Sequence, residues 1–469
     1  MSRARLSPEA VGEYLAKEVL STIPFRPDRQ IAVPRFLLHR LYSSTLAKDK
    51  YFGEEISQVE HAMQAAKFGL DNLSDEDTVL AALLHDVGHL LPEAEQMPNG
   101  LGTAHHEAVG ASFLHHLGFP PQTCTLVRRH VDAKRYLCWK HPETYYDKLS
   151  EASRQTLLEQ GGQMTTVQAK EFELDPLFAS VLAMRRWDEA AKATNSPMLP
   201  TMDVFEKMMI RALQRQEYHV QGFVLLRHAL SPQAKLDLVK WAEEIQNWDA
   251  TVQGKWMIYY ESVQGVETLC RTENILPYHH GMRTLLQEGE LKQITDNLLG
   301  AESTLFKEKI NYKLPGGGGF PSHQDAPAFS SFGQKNHLTV NVAIDRATEE
   351  NGCLQVAIGQ HQRGLFPQNP AHGGLNDEED LKLEWTSVPL EVGDVLVFSS
   401  WLPHRSGANF TTQQRRALYV TYNAKMDGSF RNQYYAEKRE VFPPKNEREP
   451  GKDYSEGAKT YNLATPITN

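Results

Sequence analysis

The sequence changes its periodicity once, near residue 215, and this change constrains the fold more than any other feature. Up to about Gln214, apolar residues recur at spacings of three and four, which is typical of amphipathic helices. From Gly222 onwards, short apolar runs with β-branched residues stand between Gly and Pro, which is typical of strands. We therefore predict two domains, an all-α helical bundle over 1–215 and a β-sandwich or jelly roll with flanking helices over 216–469.

Capping residues, glycines and prolines set the bounds of the predicted elements. Ser57 and Glu60 have the spacing of a capping box, as do Ser74 and Asp77. The predicted helices cover 57–68, 74–91, 106–117, 122–137, 177–193, 202–214, 231–247 and 285–299, and the predicted strands cover 222–226, 338–344, 394–398 and 417–422. The tail over 437–469 is charged, Pro-rich and without periodicity, so we expect it to wrap over the surface.

Charge and composition disfavour several classes of protein. The formal net charge is −10 and no stretch is rich in arginine, so no nucleic-acid partner is expected. The sequence has no uncharged apolar run of about 20 residues and no apolar core of a secretory signal at its N-terminus, which predicts a cytoplasmic protein without a membrane-spanning helix. The four cysteines are widely scattered, so neither a zinc knuckle nor a disulfide scaffold is expected. The oligomeric state, a homo-oligomer included, stays open.

Histidines and aspartates recur within the predicted helices. The pair His85-Asp86 lies between apolar residues, where burial is costly unless something compensates it. One such pair alone is equally well explained as a core histidine held by a carboxylate. Six groups together could hold two metal ions with Asp86 as a bridge and leave positions open for substrate and oxygen. These candidate metal ligands are His61, His85, Asp86, His106, His130 and Asp188.

The order of these six residues resembles the HD-domain superfamily. The two additional histidines, His106 and His130, resemble its subgroup of mixed-valent di-iron oxygenases. Further residues resemble the organophosphonate-cleaving members of that subgroup: Tyr51-Phe-Gly-Glu54 before His61, His89 after His85, Lys134 after His130 and Arg185 before Asp188. His105 does not fit the pattern of that subgroup, in which His106 is the ligand.

This resemblance implies a chemistry for the first half. Two Fe ions, an Fe(II)/Fe(III) pair, would use O2 to cleave the C–P bond of a 1-hydroxyphosphonate into a carboxylate and phosphate. His89, Lys134 and Arg185 would bind the dianionic phosphonate, because cationic and donor groups suit it. Tyr51 would occupy a coordination position until substrate displaces it, and Glu54 would receive the amino group of the substrate.

A second set of candidate ligands lies in the strand-rich half. His323-Gln-Asp325 is expected on an extended segment, where residues two apart point to the same side. Together with His404, they form the two-histidine, one-carboxylate set of a non-haem Fe(II) oxygenase. Arg415 would grip the distal carboxylate of 2-oxoglutarate, and Arg416 would face away.

Residues 217–425 resemble the phytanoyl-CoA dioxygenase family, through the triad, its spacing to Arg415 and the segment Glu350-Asn-Gly-Cys-Leu354. The resemblance implies a double-stranded β-helix that uses one Fe(II), with 2-oxoglutarate and O2 as cosubstrates. The segment Ile358-Gly-Gln-His361 departs from the family pattern without touching a ligand. The run Gly316–Gly319 lacks the Gly-Lys-Ser/Thr of a phosphate loop, so we interpret it as a turn.

The two resemblances together predict a bifunctional enzyme of oxidative phosphonate catabolism. The second domain would hydroxylate C1 of a small-molecule 2-aminoalkylphosphonate, with 2-aminoethylphosphonate the preferred candidate, and the first would release glycine and phosphate. Several alternatives stay open. The substrate could be the trimethylated amine, which would yield glycine betaine. The first half could instead be an HD phosphohydrolase acting on nucleotides, an inositol-type ring-cleaving oxygenase, or a metal-binding regulatory module fused to a 2-oxoglutarate hydroxylase.

Overall fold

The computed structural model describes residues 6–23, 28–49, 55–91, 95–97, 102–194, 199–334, 336–370, 373–462 and 464–468. The chain divides into two compact units, Met1–Gln216 and Glu217–Asn469. Among the described residues, no helix is long and apolar enough to cross a bilayer. The predicted fold class of each half is confirmed, since the first half is helical and the second is built on two β-sheets.

The helical half is built around α5, in which every residue from Thr78 to Leu84 is buried. This helix packs against α4, α7 and α10, and its apolar side chains form the centre of the core. The helices are α1 (Pro8–Ser21), α2 (Arg29–Arg35), α3 (Thr45–Lys48), α4 (Gln58–Asp71), α5 (Glu76–Leu84), α6 (His106–Leu117), α7 (Pro121–Lys140), α8 (Glu151–Glu159), α9 (Thr166–Glu173), α10 (Phe178–Ala190) and α11 (Met202–Gln221). A π-helical turn spans Phe36–Leu41, and a 3-10 turn spans Val87–Leu90.

The predicted capping box is confirmed at α4, where Ser57 and Glu60 each bond the backbone of the other. At α5 the prediction was wrong in two respects. The cap is Asp75, which accepts from the backbone N–H of Thr78 at 2.9 Å, rather than Ser74. The helix also ends at Leu84 instead of Leu91, so the pair His85-Asp86 lies at the end of the helix and not within it.

The strand-rich half contains a seven-stranded sheet of order β1-β9-β6-β11-β4-β3-β2 and a four-stranded sheet of order β5-β10-β7-β8. All pairs are antiparallel, and the sheets form the two layers of a double-stranded β-helix. The strands are β1 (Phe223–Leu226), β2 (Met257–Val263), β3 (Val266–Glu273), β4 (Ser303–Lys313), β5 (Phe320–His323), β6 (His337–Ala343), β7 (Leu354–Val356), β8 (Thr386–Val388), β9 (Val395–Ser399), β10 (His404–Ser406) and β11 (Arg415–Ala424).

The helices of this half are α12 (Pro232–Gln246), α13 (His280–Gln287), α14 (Glu290–Leu299), α15 (Asp377–Lys382), α16 (Arg431–Val441) and α17 (Ser455–Tyr461). The single helix predicted over 285–299 is two helices, because the backbone is extended at Gly289. The apolar core of the seven-stranded sheet packs against α12, α13 and α14.

The prediction that the tail wraps over the surface was wrong. Phe442, Tyr461 of α17 and Ile467 are all buried. They join a core cluster with residues of β2, β3 and β4. The aromatic residues of the tail are spaced irregularly, so they carried no periodic signal that sequence reasoning could detect.

Candidate functional site

Six side chains of the helical unit converge around Asp86. They are His61 on α4, His85 and Asp86 at the end of α5, His106 at the start of α6, His130 on α7 and Asp188 on α10. Oδ2 of Asp86 lies 3.2 Å from Nε2 of His85 and 3.8 Å from Nε2 of His61. The other oxygen, Oδ1, lies 3.4 Å from Nε2 of His106 and 3.7 Å from Nε2 of His130. The cluster therefore consists of two adjacent donor sets that share one carboxylate.

Asp188 completes the first donor set, because its Oδ1 lies 3.2 Å from Nε2 of His61 and 3.7 Å from Nε2 of His85. The backbone also fixes the tautomers of three histidines. Nδ1 of His61, His85 and His130 lies within 2.7–2.8 Å of the carbonyl oxygens of Ala191, Ala82 and Val127. A carbonyl oxygen only accepts, so each Nδ1 carries a proton, and in the neutral ring each Nε2 presents a lone pair to the cluster.

These lone pairs face each other at short range. Nε2 of His61 is 3.2 Å from Nε2 of His85, and Nε2 of His106 is 3.1 Å from Nε2 of His130. Two imidazole nitrogens this close repel each other unless a shared proton or a metal cation lies between them. Oδ2 of Asp86 is buried without a hydrogen-bond partner among the described residues, which leaves it available to a cation as well. Imidazole and carboxylate donors in this arrangement fit a pair of iron-like transition-metal ions.

Charge states in the cluster suit metal binding. Burial alone would raise the pKa of Asp86, but His85 and other neighbouring histidines hold it well below the ordinary value. Burial is likewise outweighed at Asp188, where Arg185 is the main group that holds the pKa well below its ordinary range. Burial lowers the pKa of His130 to about 3, so this imidazole is neutral at neutral pH.

A glycine brings the two donor sets together. A Cβ added to Gly88 would lie 2.2 Å from the carbonyl oxygen of His106, so the 3-10 turn can lie against α6 only without a side chain there. Gly110 makes the same approach from α6, since its Cβ would lie 3.2 Å from the backbone nitrogen of Gly88. The 3-10 turn that follows the end of α5 at Leu84 therefore packs closely against the start of α6, which places His106 beside the shared carboxylate.

His89 lies beside the second donor set and differs from the other histidines in its tautomer. Its Nδ1 accepts from the backbone N–H of Thr103 at 2.9 Å, so in the neutral ring Nε2 carries the proton. That Nε2 is 4.0 Å from Oδ1 of Asp86, and the ring stacks on His106 at 4.0 Å between centroids. His89 thus presents a hydrogen-bond donor at the cluster, where His61, His85 and His130 present acceptors.

Two cations lie next to the first donor set. Arg185 donates to Oδ2 of Asp188 and, at 3.0 Å, to the hydroxyl of Tyr145. Lys134 donates to Oγ1 of Thr156 at 2.7 Å and to Oε1 of Gln160 at 3.2 Å. Burial, with Arg185 as a further cause, lowers the pKa of Lys134 to about 7.

Sequence reasoning missed Tyr145, Thr156 and Gln160, because they lie outside the predicted helices and match no motif. The predicted residues Tyr51 and Glu54 lie outside the described residues, so the structure does not place them. His105 is exposed and adopts a left-handed conformation directly before α6.

The second cluster lies between two strands of the four-stranded sheet. His323 at the end of β5 pairs directly with His404 at the start of β10, and the ring centroids are 4.2 Å apart. Candidate ligand atoms of His323, Asp325 and His404 all lie within 4.8 Å of one another. The segment is not extended at Asp325 as predicted, since this residue has helical φ and ψ and begins a 3-10 turn. Its Oδ2 is held by the hydroxyl of Thr339 at 2.8 Å.

The same tautomer rule holds in this cluster. Nδ1 of His323 lies 2.7 Å from the carbonyl oxygen of Pro321, and Nδ1 of His404 lies 3.0 Å from that of Leu402. Both Nε2 atoms therefore present lone pairs. Burial lowers the pKa of His323 to about 3 and also lowers that of His404. Two neutral imidazoles and a carboxylate fit one Fe(II) ion with open positions.

Arg415 on β11 lines the cavity beside this cluster. It donates to the carbonyl oxygen of Gly352 at 2.7 Å, while its Nε is buried without a partner among the described residues, which leaves this donor available to a carboxylate. Gly352 has φ of 74°, and a Cβ there would meet the carbonyl oxygen of Gly407 at 2.2 Å. Arg416 points to the other side and pairs with Asp345 through two contacts of 2.9 Å.

Several further cations line the same cavity, and sequence reasoning missed them. They are Arg271, Lys307, Lys309, Lys313 and Lys438. Three of these are lysines of β4 at alternate positions, in the pattern Lys-x-Lys-x-Asn-x-Lys over 307–313. Because alternate residues of a strand share a face, this pattern was a detectable signal of a basic surface.

Comparison with known proteins gives matches for both halves. The model of the phytanoyl-CoA dioxygenase family (PhyH) matches residues 218–417, and the HD domain model matches residues 58–161. Arg185 and Asp188 lie beyond the HD match.

Three relatives resemble parts of this chain. A 2-aminoethylphosphonate dioxygenase from an uncultured bacterium is 42% identical over 256 residues, which cover 54% of this chain and 97% of that protein. A methylphosphonate hydroxylase from Gimesia maris is 43% identical over 229 residues, 49% of this chain and 86% of that protein. A 1-hydroxy-2-(trimethylamino)ethylphosphonate dioxygenase (glycine-betaine-forming) from Leisingera caerulea is 39% identical over 145 residues, 31% of this chain and 73% of that protein.

Proposed function

Because the chain belongs to the phytanoyl-CoA dioxygenase family and carries an HD domain in its N-terminal half, we propose that it degrades a 2-aminoalkylphosphonate by two successive oxygenations. One observation carries this proposal. The chain is similar both to a protein named for oxygenation of 2-aminoethylphosphonate and to one named for oxygenation of a 1-hydroxyphosphonate. The first reaction supplies the class of compound that the second consumes.

The C-terminal unit performs the first step. His323, Asp325 and His404 would hold one Fe(II), which would supply the oxidising chemistry of a hydroxylation that consumes O2 and 2-oxoglutarate. Arg415 binds the distal carboxylate of 2-oxoglutarate through Nε, which has no partner among the described residues. One oxygen atom of O2 enters succinate as CO2 leaves, and the other becomes the hydroxyl on C1 of the phosphonate.

The N-terminal unit performs the second step. His61, His85, Asp86, His106, His130 and Asp188 would hold an Fe(II)/Fe(III) pair, which would supply the oxidation by O2. The C–P bond breaks, and each product gains one oxygen atom of O2. For 2-aminoethylphosphonate the products are glycine and phosphate.

Protein groups around the iron pair orient the hydroxylated substrate. The Nε2–H of His89 and the cations of Lys134 and Arg185 bind the phosphonate oxygens, since charge-assisted hydrogen bonds to a dianion are strong. The resemblance assigns Tyr51 as a ligand that substrate would displace and Glu54 as the group that would accept a hydrogen bond from the amino group; both lie outside the described residues. A primary ammonium can donate such a bond and a trimethylammonium cannot.

The trimethylated compound is the second candidate substrate, and the name of the Leisingera caerulea relative supports it. A comparison of the two amines tests this choice directly. Glycine formation identifies the primary amine as the substrate, whereas glycine betaine formation identifies the methylated one.

The experiment that tests the two-step proposal measures phosphate release in air by the iron-loaded protein supplied with 2-aminoethylphosphonate, with and without 2-oxoglutarate. We expect release only with 2-oxoglutarate. The His323→Ala protein should leave the phosphonate intact, and the His85→Ala protein should accumulate the 1-hydroxy derivative. If neither amine nor its 1-hydroxy derivative yields phosphate, the proposal is wrong, and the HD half should then be assayed as a nucleotide phosphohydrolase.

A further inference from the structure

The lysine pattern of β4 lies at the centre of the C-terminal cavity. We propose that Lys307 and Lys309, with Arg271 of β3, form the subsite that binds the phosphonate group of the substrate during hydroxylation. This inference rests on the proposed function and adds to it the residues that recognise the phosphorus oxoanion. The same class of group is shared by 2-aminoethylphosphonate and its methylated analogue, so the subsite serves either amine.

The register of the seven-stranded sheet places the two lysines next to the iron ligands. Lys307 on β4 pairs with Thr421 on β11, and Thr421 pairs in turn with Thr339 on β6. The hydroxyl of Thr339 donates to Asp325 of the triad at 2.8 Å. Asp325 also interacts electrostatically with both lysines. Lys307 and Lys309 therefore face the same space as the metal ligands.

These lysines are distinct from the groups that serve 2-oxoglutarate. Arg415 pairs across the strands with Lys313, whose Nζ donates to Oγ of Ser406 at 2.9 Å. Along a strand that rises about 3.3 Å per residue, Lys313 lies roughly 13 Å from Lys309 and 20 Å from Lys307. The cavity thus carries two basic regions along β4, one at Lys307 and Lys309 and the other at Lys313. Only the region at Lys313 adjoins Arg415.

Neither lysine has a close carboxylate partner among the described residues, although Asp325 and Glu273 act on both electrostatically. Among the described residues, no carboxylate lies within ion-pair distance of Nζ of Lys307 or Lys309, whereas Lys438 in the same cavity contacts both oxygens of Glu273 at 2.7 Å. The ammonium of Lys307 instead lies 4.3 Å from the centre of the Phe329 ring. Burial lowers the pKa of both lysines, because a charged ammonium group is costly in this cavity, and a bound dianion would relieve that cost.

Arg271 completes the subsite. Its side chain is buried, and it donates to Oδ1 of Asn311 at 3.0 Å and to Oε1 of Glu273 at 3.3 Å, while the other terminal nitrogen, NH2, has no partner among the described residues. A buried guanidinium nitrogen without an acceptor is costly, and an oxoanion in the cavity would relieve that cost. Three positive groups from two neighbouring strands then match the three oxygens of a phosphonate.

The test measures binding at the C-terminal site without turnover. The holoprotein is prepared under argon with Fe(II) and 2-oxoglutarate, and 2-aminoethylphosphonate is titrated while the visible absorption of the Fe(II)–2-oxoglutarate complex is followed. Lys307→Gln and Lys309→Gln should each raise the half-saturating phosphonate concentration by about tenfold or more. The half-saturating concentration of 2-oxoglutarate should stay unchanged.

The matched control is Lys425→Gln, an exposed lysine paired with Glu302 at 2.8 Å, which should bind like the wild type. Lys309→Arg keeps the charge and should bind phosphonate better than Lys309→Gln. Unchanged phosphonate binding in both glutamine variants would overturn the proposal, and so would weakened 2-oxoglutarate binding with phosphonate binding intact. If the wild type itself does not bind the phosphonate, the proposed function fails as well, so the two failures can be told apart.

Discussion

Lys438 tests whether the C-terminal tail is part of the fold. Its side chain is 1% exposed, and its ammonium contacts both oxygens of Glu273, whose side chain is 2% exposed. Replacement of Lys438 by Met keeps most of the apolar side chain that packs near the rings of Tyr259 and Tyr461. The replacement removes the main counter-ion of Glu273. Loss of one partner from a buried pair costs about 3–5 kcal/mol of unfolding free energy.

The assay is urea and thermal unfolding of the full chain, followed by a probe of the C-terminal unit such as its tryptophan fluorescence. For a unit of this size, the expected loss corresponds to a fall in Tm of roughly 6–20 °C. The double variant Lys438→Met/Glu273→Gln should regain part of the loss, because it no longer buries a carboxylate that has lost its main counter-ion. A loss below about 1 kcal/mol in the single variant would refute the assignment of the tail to the core.

Three further predictions concern the proposed iron pair, the packing of Gly88 beside it, and the pH dependence of the stability that Glu273 contributes. Asp86→Asn should remove the two irons of the N-terminal unit and leave the iron of the C-terminal unit, because the charge of the shared carboxylate is lost. Metal analysis of the purified protein measures this, and full iron content would contradict the bridging role. Gly88→Ala should lower the iron content of the same unit, since its Cβ would meet the carbonyl of His106 at 2.2 Å; a fully loaded variant would argue against the close approach. Burial alone would raise the pKa of Glu273, but Lys438 lowers it from the ordinary 4.5 to about 2, so its stabilising contribution is complete above pH 4.5 and is lost as the pH falls towards 2. The difference in unfolding free energy between wild type and Glu273→Gln should therefore shrink over that pH range, and a constant difference would contradict the ion pair.

The periodicity of the sequence was sufficient to predict the two fold classes, because amphipathic helices and alternating strands each have their own spacing. Local sequence signals did not predict that the helix ends before His85-Asp86. There, helix propensity favoured continuation to Leu91, while packing of Gly88 against α6 ended the helix. A contact of this kind with another helix cannot be detected from the spacing of apolar residues within one helix.

The candidate ligands could be found from the sequence because each is a histidine or aspartate within a motif of fixed spacing. The groups around them could not be found in that way. Thr156 and Gln160 reach Lys134 from a different helix, and Arg271 reaches the C-terminal cavity from a neighbouring strand. Only the alternating lysines of β4 were detectable in advance, since their spacing is that of one strand face.

The central claim is that the two units act in sequence on one substrate, and bypassing the first step tests it most directly. The His323→Ala protein is loaded with iron and supplied with 1-hydroxy-2-aminoethylphosphonate in air, without 2-oxoglutarate, and phosphate is measured over time. The account predicts phosphate and glycine at a rate close to that of the wild type given the same compound. Absence of phosphate from this variant, with the wild type active on it, would contradict the division of labour between the two iron sites.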